Sequence, residues 1–389
     1  MNADRGTEPT VRTRPSTTVT GTATAAARPA GTGRAALSAR RTLLAAALAT
    51  GLSVGVGTAF GPAAPQAAAA APAAAPGRAA GQGVDCAEVR AEVERLEGRI
   101  TPNACAFMKR QLTFGSTATG TPPAPGDLAH PRVKAYLDIF DPDATLWEAG
   151  GPPQHGREAI GTSITHSLRL APDLRYGGTT VVADGAVMMF GQWNEVTLRG
   201  RKIAYPQIAR NLLGDDGRTV QARRYYDRYV LFTPLAPELR PRPLFDGIAD
   251  SGRVTGATPQ RFRADEIEAR LAAWNHGDVA ALTGRTGRAP LSGPGLTAPL
   301  ATDAGKTAYL ERLFAERRFD FTAGQVAFGE SVTYVEWHGT VTGPTGKDVP
   351  FGIVERFGPG GAWELTFDTL PLVADRATIG TLFQRLSQP

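Results

Sequence analysis

Four consecutive residues, Arg224-Tyr225-Tyr226-Asp227, bring a permanent cation, two phenols and a carboxylate into one short segment. Such a set can move a proton and hold the charge that results, with the carboxylate as base and a Tyr hydroxyl or guanidinium stabilising an oxyanion. A second segment, Leu365-Thr366-Phe367-Asp368, ends on the same acid, and His338 beside Trp337 is a further candidate base. Asp227, Tyr226 and His338 are therefore the catalytic candidates, with a plain structural role as the alternative for the lone His. Other chemistries lack their residues. There is no G-x-S-x-G elbow and no Gly-rich phosphate loop. The five His show no HxH or HExxH spacing, and two Cys make neither a thiolate metal cluster nor a C-x-x-C motif. No metal and no cofactor is expected, so catalysis, if present, is cofactor-free acid/base work.

Parity decides which of these side chains share a face. Trp363, Leu365 and Phe367 alternate with Glu364, Thr366 and Asp368. The apolar set faces inward, which turns Asp368 away. The same register puts Ala222, Arg224, Tyr226 and Arg228 inward and Arg223, Tyr225 and Asp227 outward. That counts against Asp227 and Asp368 as bases, and makes them strand-end or hairpin hydrogen-bonding residues, unless a bulge reverses the parity.

The elements that position these residues follow one order twice. Residues 234–262, with Pro234, Pro237, Pro241, Pro243 and Pro259, lack periodicity and read as a linker. Before it, a helix ends at Phe140, Thr145–Glu148 is extended, and Gly156-Arg157-Glu158-Ala159-Ile160 opens a helix to about Leu170. Strands then follow at 174–182, 186–199, 202–213 and 219–232, joined at Asp184-Gly185, Gly200 and Asp216-Gly217. After it, a helix from about Ala264 carries Ile267, Leu271 and Trp274 on one face. Gly305-Lys306-Thr307-Ala308-Tyr309 opens another to about Arg318, and strands follow near 319–328, 331–342, 347–357 and 362–372. Trp193 and Asp227 stand 34 residues apart, and Trp337 and Asp368 stand 31 apart. Two copies of one αβ unit, 86–233 and 263–375, explain the order, with 376–389 as a C-terminal tail.

Residues 1–80 hold eight Arg and two acidic residues, a net of +6 within a chain total of +5, which leaves −1 on everything after them. The body thus has no basic footprint for nucleic acid. Arg40-Arg41, the apolar run to Phe60 and the Ala/Pro tract to about Ala80 have the order of a signal peptide, with Ala67-Ala68-Ala69 an acceptable cleavage site. The Arg pair followed by two Leu partly matches a twin-arginine signal. The 19 residues Thr42–Phe60 could instead be an uncleaved anchor. Cleavage is the favoured reading, which makes the protein secreted, with no membrane span in its mature form. In an oxidising compartment Cys86 and Cys105 form the one possible intramolecular disulfide. A helix over 87–98, closed by Gly98 and Pro102, would return the chain to the first Cys; two buried free thiols are the alternative.

The order helix, Asp141-Pro142-Asp143-Ala144-Thr145-Leu146-Trp147, Gly156-opened helix, long hairpins and closing Arg224-Tyr225-Tyr226-Asp227 resembles the SnoaL-like, nuclear transport factor 2-like superfamily. Ala273-Trp274-Asn275-His276-Gly277-Asp278 and Phe367-Asp368 extend the resemblance to the second half. It implies an α+β fold: two cystatin-like cones in tandem, each a curved, mostly antiparallel sheet wrapped on helices, with a pocket at the mouth. Family members include isomerases, cyclases, dehydratases and many non-catalytic domains, so the fold alone assigns no activity. In the first cone Trp147, Met189, Trp193, Tyr205, Arg224 and Tyr226 could line a pocket for a small hydrophobic or phenolic molecule. Alternatively the aromatics fill a core and Arg224 pairs with Glu195. His155 and His166 flank the helix opened by Gly156 and read as surface residues. The second cone offers Trp274, His338, Glu355 and Trp363. Such domains often pair through their outer sheet faces, so the two halves are expected either to bind a small molecule or to act as a pairing module, within one chain or as a homodimer.

Overall fold

The structure is a computed structural model that describes residues 86–387 except 94, 249, 251, 253–261, 287–288 and 360–361. The leader, with its predicted signal peptide, lies outside the described residues. The fold is mixed α+β, with two curved sheets. The first is seven-stranded, in the order β1 (Leu96–Arg99), β4 (Arg175–Asp184), β5 (Val187–Leu198), β6 (Arg201–Leu213), β7 (Thr219–Tyr225), β2 (Phe140–Trp147), β3 (Gln154–His155). The second has five strands, in the order β8 (Leu291–Ser292), β12 (Trp363–Thr366), β11 (Asp348–Phe357), β10 (Thr333–Thr342), β9 (Phe319–Phe328). Antiparallel meanders β4–β7 and β9–β12 dominate, and Arg199-Gly200, both at positive φ, form the two-residue turn between β5 and β6. Register shifts at Gly178/Val181, Leu212/Leu213 and Val335/Trp337 bend the sheets.

Helices cover one face of each sheet. Against the first lie α1 (Cys86–Glu92), α2 (Pro102–Ser116), α3 (Pro131–Asp138), α4 (Gly156–Leu170) and the short α5 (Arg228–Phe232). Thr101 caps α2 by accepting from the Ala104 amide, and Pro102 occupies its first turn, where no amide partner is needed. Phe107, Met108, Phe114, Ile160, Ile164 and Leu168 press onto Val181, Met188, Phe190 and Val196. Against the second sheet lie α6 (Ile267–His276), α7 (Val279–Thr286) and α8 (Asp303–Phe314). Gly277, at φ 66°, closes α6 in the left-handed conformation. Within the segment read as a linker, Leu244 and Phe245 are buried, and Phe245 stacks on Tyr309 at 4.0 Å.

Four expectations are corrected. The helix predicted over 87–98 stops at Glu92, because Leu96–Arg99 instead adds a parallel edge strand to β4. That approach needs Gly98, whose φ is 90° and where a Cβ would stand 2.2 Å from the Ala183 carbonyl oxygen. The strands predicted over 219–232 and 362–372 end at Tyr225 and Thr366, and each chain then turns into a short helix, α5 and α9 (Leu370–Val373). Residues read as a tail form α10 (Arg376–Ser387), which returns to the first half: Leu382 and Leu386 are buried in its core, and Phe383 meets Phe232 edge-on at 4.7 Å. Among the described residues no helix is long and apolar enough to cross a membrane.

Cys86 and Cys105 form the disulfide, with Cα atoms 5.4 Å apart, tying α1 to α2. The loop it closes is short, and opening it should destabilise the first half by about 3 kcal/mol. Thermal denaturation with and without reductant, beside Cys86→Ser/Cys105→Ser, would measure this; an unchanged melting temperature would show that the bridge carries no stability.

The face of each sheet opposite the helices meets the other sheet. Val182, Met189, Ile208 and Tyr225 pack on Ala327, Val332, Tyr334 and Val354. The Tyr334 hydroxyl accepts from the Gly191 amide and donates to the Thr180 carbonyl. At one edge Glu97 accepts from the Ser331 and Val332 amides and from the Ser331 hydroxyl.

Candidate functional site

On the helix-covered face of the first sheet the strand registers set up a grid. Phe190 stands opposite Ala209, and Ala209 opposite Arg224. Gln192 faces Gln207, and Asn194 faces Tyr205. Leu146 stands beside Ala222, so Glu148, two residues on, falls in line with Arg224. Ala209 is small, which leaves room beside it for the guanidinium. Arg224 and Tyr226 are thus inward, as parity predicts, with Arg223 and Tyr225 on the opposite face.

The inner polar group is fully enclosed. Glu148, Tyr205, Arg224 and Tyr226 are each at most 2% exposed. The rings of Tyr205 and Tyr226 lie 5.6 Å apart. Burial raises the Tyr205 hydroxyl far above its ordinary range and the Glu148 charge adds to the effect; Tyr226 is raised by the same two causes. Burial lowers the Arg224 guanidinium, against the opposing pull of Tyr136 and Glu148. One Arg224 Nη donates to Asn211 Oδ1 at 3.2 Å and to the Arg223 carbonyl at 3.2 Å. Glu195 lies exposed on the outer-facing parity of β5, so the expected alternative pairing with Arg224 does not form. Gln192 donates to Asn194 and Asn194 to Gln207, extending the polar row along the sheet. Several atoms in this row have no hydrogen-bond partner in the protein: Arg224 Nε and its second Nη, Tyr205 Oη, Asn211 Nδ2 and Gln192 Oε1. Buried groups of this kind are normally satisfied by protein or ordered water, and the Tyr136 hydroxyl also lies against the Arg224 guanidinium, so this face is the more polar of the two interiors.

The corresponding interior of the second half is closed. Glu355 accepts from the indole N–H of Trp274 at 2.7 Å, of Trp337 at 2.6 Å and of Trp363 at 2.8 Å. The Arg270 guanidinium binds both carboxylate oxygens, at 2.6 to 3.0 Å. Three indoles and a guanidinium use every face of one carboxylate, and all four side chains are at least 95% buried. Glu355 is thus fully engaged within the core of the second half.

Several predicted site residues sit elsewhere. Trp147 and Trp193 do not line the interior: both have outer-face parity. Trp147 packs its ring 5.5 Å from Tyr225, and Trp193 is 47% exposed on β5. Met189 is on that outer face too. His338 also faces outward, beside Arg223, with its ring nitrogen 3.5 Å from the Thr322 hydroxyl. Burial and the neighbouring Arg223 charge depress its pKa to about 4, so it is neutral near pH 7. Asp227 is no open base. Its carboxylate accepts from the Tyr229 and Thr369 amides and the Thr369 hydroxyl, while Asp368 accepts from the Arg228 amide and Nε. The two acids thus cap each other's turns across the junction of the halves. Burial and the Asp368 charge raise the Asp227 carboxyl, against the hydrogen bonds it accepts. His155 is exposed and meets the Thr145 hydroxyl; His166 is half-buried. Among the described residues no group of three His, Cys, Asp or Glu is placed to hold a metal. Sequence reasoning missed Glu148, although Ala144, Leu146 and Glu148 share one parity.

No family model matches the chain, and no curated protein sequence matches it. Among solved structures it is similar to a candidate SnoaL-like polyketide cyclase from Jannaschia sp. CCS1, with TM-score 0.28 and 12% identity over 35% of this chain and 95% of that one. It is similar to a nuclear transport factor 2-like protein of unknown function from Burkholderia pseudomallei, with TM-score 0.27 and 15% identity over 33% of this chain and 95% of that one. A third is a hypothetical protein of ketosteroid isomerase-like fold from Catenulispora acidiphila, in complex with trimethylamine, with TM-score 0.25 and 18% identity over 30% and 82%. The solved structures similar to parts of this chain are thus of SnoaL-like, nuclear transport factor 2-like and ketosteroid isomerase-like fold.

Proposed function

We propose that the first half binds a small, largely apolar molecule through one polar group, and that the second half is its structural partner. The carrying observation is the contrast between the two interiors: partnerless polar atoms on Arg224, Tyr205, Asn211 and Gln192 against a fully bonded Glu355. Phe107, Met108 and Phe190 supply the apolar wall. Arg224 and the two phenols suit a phenolate, enolate or carboxylate. If the ligand is turned over, Glu148 is the group placed to accept a proton, with Arg224 and Tyr226 stabilising the resulting oxyanion in a water-poor interior. Cofactor-free isomerisation, cyclisation or dehydration is the reaction class that this set permits.

Calorimetric titration with 2-naphthol and 2-naphthoate tests the reading. Arg224→Ala should weaken binding at least about thirtyfold, near 2 kcal/mol, since a buried charged contact is lost. Arg223→Ala faces the other sheet and should keep binding while lowering the melting temperature. Equal loss from both variants, or no binding by the parent, would overturn the assignment.

Two further parts of the proposal rest on other observations. The halves are copies of one unit: each has a four-strand antiparallel meander, helices on one face and an Asp two residues past its last strand, and the two Asp cap each other's turns reciprocally. Their outer faces make the pairing contact within one chain, the role that the module reading gives them. The protein is exported and loses about its first 70–80 residues; Edman sequencing of protein from culture medium should begin beyond Ala67, and an intact cytoplasmic chain would refute export.

A further inference from the structure

A cavity of about 580 Å³ lies outside both sheet interiors, between α2 and α3. One wall is the α2 face Arg110 and Thr113 with Thr117 just past the helix end; the other is the α3 face Pro131, Lys134, Ala135 and Asp138. The i, i+3, i+4, i+7 spacing puts each set on one helix side. Leu128 and Leu137 complete the apolar surface, and Arg157 of α4 reaches in beside Asp138.

The two ends differ. The Arg110 end gathers cations. Arg110 Nε stands 3.5 Å from Asp138 and one Arg110 Nη donates to the Asp216 carbonyl at 3.1 Å, while Arg157 donates from Nε and one Nη to the Phe140 carbonyl and keeps its remaining N–H groups for other acceptors. Arg218 takes Asp138 at 2.9 Å and also pairs with Asp216, so the one carboxylate lining the cavity is already neutralised from behind. Burial and the neighbouring Arg218 lower the Arg110 guanidinium, with Arg157 adding to the effect against Asp138 and Asp216. Lys134 is exposed at mid-groove, with a long stem free to lie along the apolar wall. The far end, at Thr117, Leu128 and Pro131, carries no charge among its lining residues. The helix runs six residues from Arg110 to Ser116 and Thr117 follows at its end, a length of about 10 Å.

We propose that this groove is a second ligand site, distinct from the enclosed interior, which takes a free monoanionic amphiphile: a carboxylate head at Arg110, Arg157 and Lys134 and an unbranched apolar tail along Leu137, Ala135 and Leu128. A tail of about eight to ten carbons spans the groove. The neutral Thr117 end rejects a second charge, which excludes dicarboxylates of the same length.

The test uses the full disulfide-bonded chain and decanoate below its micelle concentration, by calorimetry. Decanoate should bind at least about tenfold more tightly than decanol or sebacate. Lys134→Glu, at an exposed position, should weaken decanoate about tenfold, and Thr113→Trp, which fills the groove from an exposed site, should abolish binding with the melting temperature unchanged. Arg224→Ala should leave decanoate binding intact, so failure of the interior site and failure of the groove are separable. Three results would overturn the proposal: no binding by the parent, equal affinity for decanol, or loss in Arg224→Ala with no change in Lys134→Glu and Thr113→Trp. Decanoate retained only as lipid vesicles containing it, and not as monomer, would make the groove a membrane contact and overturn it too.

Discussion

Glu355→Ala should destabilise the second half by at least about 5 kcal/mol. Removing one member of a buried ion pair typically costs about 3–5 kcal/mol, because the remaining charge stays buried. Here Arg270 would be left at 5% exposure with the Leu282 carbonyl and the Phe357 and Trp363 rings beside it but no counter-charge, and three indole N–H groups would lose their acceptor at once. Each unpaired donor adds about 1–3 kcal/mol if water cannot enter. A fall in melting temperature on the order of 10–20 °C follows for a unit of this size. Glu355→Gln keeps an acceptor for the indoles but no charge for Arg270, and should fall between. Differential scanning calorimetry would decide; an alanine variant melting within about 2 °C of the parent would show that the network is no keystone.

Glu336→Ala should loosen the contact between the halves by about 3–5 kcal/mol. Glu336 is fully buried, yet it belongs to the outer face of β10. It accepts from Arg210 at 3.1 Å, Arg223 at 3.4 Å and the Tyr225 hydroxyl at 2.5 Å, all from the first half, and from the Gln325 amide. It can approach so closely because Gly324 has no Cβ, which would stand 2.3 Å from a Glu336 oxygen. Without the carboxylate, Arg210 and Arg223 face each other unpaired. Limited proteolysis of 234–262 should accelerate with the fall in stability.

The same residue fixes an acid limb. Burial alone would raise its carboxyl, but Arg210 and Arg223 outweigh burial and hold it at about 2. Its folded pKa is therefore below the unfolded value. The stabilisation is full above about 4.5 and is lost as pH falls toward 2, because the unfolded chain binds the extra proton there. His338 acts in the same direction between about 6.5 and 4, since its folded form stays neutral while the unfolded one protonates. Asp227 acts oppositely: its raised carboxyl favours the protonated folded state, an advantage lost as pH rises. Glu336→Gln compared with the parent at each pH isolates the first of these; an unchanged slope between pH 4.5 and 2 would mean that Glu336 is not charged in the folded protein.

How much of this was legible in the sequence depends on the range of the contact. Period-two alternation over 219–226 placed Arg224 and Tyr226 inward, since one buried face fixes a strand's parity. Applied evenly, the same rule reaches Glu148 through Ala144 and Leu146, and it rejects Trp147 and Trp193. Those two aromatics enter the expected pocket through the resemblance, against their own parity. The disulfide was legible because only two cysteines exist. The helix over 87–98 was overextended because Val89, Val93 and Leu96 satisfy a helical period, while the pairing of Leu96–Arg99 with β4 depends on a strand some 85 residues away. Asp227 and Asp368 were read as strand-end residues because their partners, Thr369 and Arg228, lie 142 and 140 residues off. Trp274, Glu355 and Trp363 are grouped in the second cone by the sequence, but Arg270 and Trp337 are not, because the donors come from α6, β10 and β12 and no local pattern links them.

The return of α10 to the first half sets an order on biosynthesis. A ribosome releases residues 86–233 long before 376–387 exist, so Leu382, Phe383 and Leu386 reach their places against Phe232 and Leu231 only when the whole chain has emerged. Until then that apolar surface is bare, and so is the outer face that will meet Tyr334 and Val354. Contacts of such sequence separation form late and slowly. The nascent first half is therefore not a finished unit, and a chain stopped before Arg376 should accumulate as aggregate or be degraded, even though every strand of both sheets has been made.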